Sequence, residues 1–158
     1  ENRTILQKEA GFSAAMEAKG LTPRILRIGH ASNTLRAGME AVEVLLGEGK
    51  LPTAFWCASD YMALGVIRAL ERHNLSVPED VSVVGHDDLY LNHYPGIQLT
   101  TFHTPMRQLG QAAVKLAIGL IEHDNRIEPK QFFQPTLVVR DSTKKVYSGS
   151  RQVSKTVF

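Results

Sequence analysis

Cysteine is nearly absent. Cys57 is alone in 158 residues, which excludes an internal disulfide and a cysteine-built zinc site. Its neighbours in LPTAFWCAS are apolar, so a buried, inert thiol is expected. An excess of one charge is missing too. A net charge of +2 is too slight to mark a nucleic-acid surface, and the basic stretch KKVYSGSRQVSK reads as a solvated tail. No apolar run approaches the roughly 18 residues of a membrane span, so no membrane partner is expected. Nothing at Glu1 resembles a secretory signal, and without an initiator methionine the chain is expected to be a piece of a longer one. There is no Gly-x-Ser-x-Gly elbow, no phosphate loop and no Gly-x-Gly-x-x-Gly, so no enzyme and no cofactor are expected. His86, Asp87, Asp88, His93 and His103 match no metal-ligand spacing, so no metal is expected either.

What is present is an ordinary globular composition, 43% apolar and 22% charged, enough to build a core. No repeat, low-complexity stretch or Pro/Gly/Ser linker divides it. Helical spacing runs from Ile5 to Lys19, with Gly20 as a stop. RILRIG, Arg24 to Gly29, alternates like a short strand. A helix follows over Leu35–Leu46, then a strand over Ala54–Ala58. Ser59 or Asp60 offers an N-cap for a helix over Tyr61–Asn74. VSVVG is a third strand and Ile97–Thr104 a fourth. Pro105 opens a long amphipathic helix over Met106–His123, and PTLVVR, Pro135–Arg140, is a last strand. This alternation predicts an α/β fold: a mostly parallel sheet with helices on both faces.

In such sheets ligands bind beyond the carboxyl ends of the strands. Three loops converge there: 30–34, Ser59-Asp60, and His86-Asp87-Asp88. Two adjacent carboxylates at the lip of a buried strand repel unless something binds or caps them. One aspartate is therefore expected at a ligand, and Asp88 is as well explained by a turn or by solvent.

The run CASDYMALGVIRALERHNLSVPEDVSVVGHDDL resembles the effector domain of the LacI/GalR family of bacterial transcription repressors. The likeness continues through YPGIQLTTFHTPMRQLGQAAVKL and closes at LVVRDST. It implies one lobe of a periplasmic-binding-protein-like fold over residues 1–143, with 144–158 as a tail. The family's first lobe, its DNA-binding head and a preceding strand would lie upstream. The family's ligand-holding arginine is Lys8 here, a point charge without the bidentate fork. Its effector-contacting asparagine is Ser59, the aromatic before the aspartate pair is His86, and a stacking aromatic would fall near Asn33. Asp87 matches the pattern and is suited to accept hydrogen bonds from neighbouring hydroxyls, as on a sugar or sugar derivative.

The resemblance also implies a cytoplasmic homodimer acting on operator DNA through the absent head. Met62, Val66, Tyr90 and Tyr94 are the candidate dimer contacts, although Met62 and Val66 could equally face the chain's own core. A periplasmic sugar-binding protein of a transporter shares the fold and is the alternative; Val-Pro-Glu-Asp and Arg-Asp-Ser-Thr favour the repressor.

Overall fold

The computed structural model describes residues 3–28, 34–90, 96, 98–123, 128 and 130–145. Asn33, Tyr94, His93, Gly29, Ile97 and the tail from residue 146 onward lie outside the described residues.

Among them run α1 (Arg3–Glu17), α2 (Leu35–Gly47), β1 (Ala54–Trp56), α3 (Asp60–Arg72), β2 (Ser82–Asp87), β3 (Thr100–His103), α4 (Met106–Ile121) and β4 (Thr136–Val138). The sheet order is β1-β2-β3-β4. β1–β2 and β2–β3 are parallel, and β4 returns antiparallel to β3. This is the expected mixed α/β fold with a mostly parallel sheet.

Local chemistry explains the helix ends. Thr34 and Ser59 cap α2 and α3, accepting from the N–H groups of Ala37 and Met62. The first three helices close alike, with Gly20, Gly49 and Asn74 in the left-handed region. Beyond each, the next N–H reaches back: Leu21 to Met16 O, Lys50 to Leu45 O, and Leu75 to Leu70 O.

The core is made by α2, α3, β1 and β2, from Val42, Leu45, Phe55, Val66, Leu70, Val81 and Val83, with Leu99 closing it. α2 and α3 cross at backbone contact. A Cβ on Gly38 would stand 2.0 Å from Met62 O, and one on Gly65 1.9 Å from Leu35 O. Ser142 stitches the sheet from the side. Its Oγ donates to Val83 O at 2.6 Å and accepts from Thr100 N at 2.7 Å.

Two expectations need correction. Residues 24–28 form no strand; among the described residues β1 pairs only with β2. Their alternation survives as alternating exposure, with Leu26 packed on the core, but alternation without a hydrogen-bonding neighbour does not make a strand. Val66, only 2% exposed, belongs to the core, and Met62 packs against it. That side of α3 turns to α2. Tyr90 remains 77% exposed.

Candidate functional site

The site grows from the end of β2. That strand runs through Gly85 and His86 into Asp87, where the backbone turns left-handed: φ is +106° at Asp87 and +52° at Asp88. For residues with a Cβ this costs on the order of 1–3 kcal/mol each, and it persists only where surrounding contacts hold it.

Asp60 is one of those contacts. It sits in the first turn of α3 and is fully buried. Its Oδ1 accepts from Thr101 Oγ1 at 2.6 Å, and its Oδ2 accepts from Leu89 N at 2.8 Å, just past the left-handed pair. Gly85 makes room for it, since a Cβ there would lie 2.2 Å from Asp60 Oδ1.

The two aspartates then face different partners. Asp87 Oδ1 lies 2.8 Å from His86 Nδ1, which is 3.2 Å from Lys8 Nζ on α1. One ring nitrogen cannot accept from the ammonium and donate to the carboxylate at once. Protonated, Nδ1 donates to Asp87, while Lys8 donates to Ala58 O at 3.2 Å. Burial lowers the Lys8 pKa, and the charge of Asp87 pulls it back up. The His86 ring also stands 6.0 Å from that of Phe102.

Asp88 points away from Lys8 and is nearly buried, its side chain 9% exposed. Its Oδ1 accepts from Arg140 Nη2 at 2.9 Å, and its Oδ2 from His103 Nδ1 at 3.0 Å. Asp87 thus leans on a histidine, with the charge of Lys8 nearby, and Asp88 on a histidine and a guanidinium, which is how two adjacent acids coexist at this lip.

Of the residues expected at the site, Lys8, His86 and Asp87 come together. Ser59 does not join them: it is 1% exposed and its Oγ caps α3. Asn33 lies outside the described residues. Sequence reasoning placed Asp60 only as a cap or loop residue, weighed His103 only as a metal ligand, and missed Arg140 altogether. For Arg140 the available signal was a charge closing an apolar run, LVVR, where a buried partner is called for.

A cavity of about 450 Å³ lies between α1, residues 24–28 and β1. Ile5, Phe12, Leu26, Trp56 and Cys57 line much of it, and Lys8 and Ala58 connect it to the trio. Phe12 and Trp56 stack across one side with ring centres 5.7 Å apart. Asp87 and His86 do not line it, so this apolar space and the polar trio are neighbours and not one pocket.

A family described as periplasmic binding protein-like domain matches residues 1–143. Among curated proteins, the HTH-type transcriptional repressor PurR of Glaesserella parasuis is 39% identical over 140 residues, covering 85% of this chain and 41% of the relative. PurR of Haemophilus influenzae is 35% identical over 146 residues, covering 90% and 44%. Among solved structures, the lac repressor dimer bound to operator and the anti-inducer ONPF superposes with a TM-score of 0.74 at 32% identity, covering 85% of this chain and 46% of that one. The chain belongs to the LacI family. The Escherichia coli transcriptional repressor ascG superposes on this LacI-family chain with a TM-score of 0.75 at 29% identity, covering 89% and 51%. The chain thus spans 41–44% of the length of the PurR relatives.

Proposed function

We propose that this chain is the effector-binding and dimerisation part of a transcription repressor that senses a small polar molecule. The observation that carries the reading is the trio of Lys8, His86 and Asp87 on a left-handed turn at the carboxyl end of a parallel strand. Strained backbone at such a place marks a side chain held for use. Asp87 accepts from ligand hydroxyls, Lys8 meets an acceptor or anionic group, and His86 adjusts by tautomer.

A sugar or sugar derivative fits this set. A LacI-family regulator from Arthrobacter was solved with lactose, and the lac repressor with ONPG. Named relatives that are repressors favour this reading over a transport binding protein. The chain itself catalyses nothing, and it would act in the cytoplasm, where its DNA partner is. Among the described residues no helix is long and apolar enough to cross a membrane.

In the intact protein the ligand would favour one lobe arrangement over another and so change the fit of a dimer's DNA-binding heads to operator DNA. The shift cannot exceed the ligand's differential affinity for the two arrangements. Tyr90 and Tyr94, but no longer Val66, are the dimer contacts we retain.

Trp56, the one tryptophan of the 158 residues, lines the cavity that Lys8 also borders. Titrating the intact protein with lactose, ribose and their phosphates should change Trp56 emission for at least one of them. Asp87→Ala should then weaken that response at least tenfold. An undiminished response in Asp87→Ala would remove Asp87 from the site.

A further inference from the structure

We infer that Asp88 is a positioning residue that ties the ligand-facing Asp87 to β3 and to the segment leading out of β4. The inference rests on Asp87 being the ligand contact.

Asp87 and Asp88 are consecutive in one left-handed turn, so holding Asp88 restricts the backbone conformations open to Asp87. The Asp88 carboxylate is divided between two anchors, Arg140 through Oδ1 and His103 through Oδ2. Arg140 is itself fixed. Its Nη1 donates to Leu99 O at 2.8 Å, its backbone N donates to Thr100 Oγ1 at 2.9 Å, and its carbonyl accepts from that same hydroxyl at 3.0 Å. His103 ends β3, and Thr104 and Pro105 alone separate it from α4. On the far side, Leu89 N is held by buried Asp60. The turn is therefore gripped on both flanks, with the Asp87 carboxylate on the side of Lys8 and His86.

A ligand that draws on Asp87 must work against these grips. The displacement it causes is delivered to His103 at the foot of α4 and to Arg140 beyond β4. A charge-assisted pair between a 14% exposed guanidinium and a 9% exposed carboxylate is stiff enough to carry it. The same grip presents Asp87 in its binding orientation before the ligand arrives.

The test uses the intact protein with labelled histidine nitrogens, read by NMR. His86 lies on the Lys8 side of the turn, whereas Arg140 and His103 lie on the other. In Arg140→Gln, positioning predicts that the His86 Nδ1 resonance shifts. His73, which pairs with Glu43 across α3 and α2 at 3.0 Å, should stay unmoved and show that the core is intact. His103→Ala, at a half-exposed side chain that folding can spare, should shift His86 in the same direction. If His73 also collapses in Arg140→Gln, His103→Ala decides alone. His86 unchanged in every folded variant overturns the inference. A His86 shift accompanied by an undiminished ligand response in Asp87→Ala would instead leave the grip standing and remove the effector site.

Discussion

At the scale of single residues, the buried polar groups govern behaviour. Asp60→Ala would strand the Thr101 hydroxyl and the Leu89 N–H in a dry interior. The expected loss is about 2–6 kcal/mol of stability, from about 1–3 kcal/mol for each of the two orphaned donors, read by urea unfolding of the intact protein. Cys57 gives a pH signature. Burial first, and the charge of Asp60 second, push its thiol from 9.0 up to about 12. Between those values the folded chain keeps a proton that the unfolded chain has lost. Stability is therefore whole below about pH 9 and falls as pH rises toward 12, at no more than about 1.4 kcal/mol per pH unit. Lys8 works oppositely, because its lowered pKa adds stability as pH rises through its range. Comparing Cys57→Ala with the parent chain across pH 8–11 isolates the cysteine, and the variant should lose less stability, or gain more, than the parent as pH rises. The native thiol should also resist alkylating reagents until the chain unfolds.

At the scale of elements, the crossing of α2 and α3 is the least forgiving joint. A methyl at Gly65 would meet the Leu35 carbonyl inside hard-sphere contact, so Gly65→Ala must push the helices apart. We expect a loss of about 3 kcal/mol, the upper end of the usual overpacking range, because the clash is with backbone. Gly11 offers the contrasting case. It lies in mid-α1 with nothing near its Cβ position, and Gly11→Ala should gain about 0.5–1 kcal/mol of stability. Thermal melts of the two variants, in opposite directions, check this pair. Elements also show where sequence periodicity was a sound guide. The spacing in Leu35–Leu46 and Tyr61–Asn74 marked α2 and α3 to within two residues, because their apolar stripes meet each other. RILRIG had the alternation of a strand but no neighbour among the described residues to bond with.

At the scale of the whole molecule, the interior is uneven. Core residues come from α2, α3 and the first two strands, whereas α4 buries only Gly119. Val114, Leu120 and Ile121 on α4 are 59%, 65% and 77% exposed, and Phe132 is 83% exposed. A helix without a buried stripe has little to stabilise it beyond its own propensity. Amide exchange across α4 in residues 1–158 alone should therefore be faster than across α2 by orders of magnitude. Equal protection of the two helices would overturn this reading of α4 as weakly held.

The sequence by itself determined the layers: alternating strand and helix periods specify a mostly parallel sheet, and cap residues specify where the helices start and stop. Through the family resemblance it also pointed to Lys8, His86 and Asp87, together with Ser59 and Asn33. Tertiary structure decided what those periods cannot encode. Whether Val66 faces a partner or α2 depends on how two helices cross, and that depends on Gly38 and Gly65 lying opposite each other. Whether Asp88 meets solvent or a cation depends on Arg140, 52 residues away. Pairings across such separations are fixed only when the sheet assembles and desolvates both charges together.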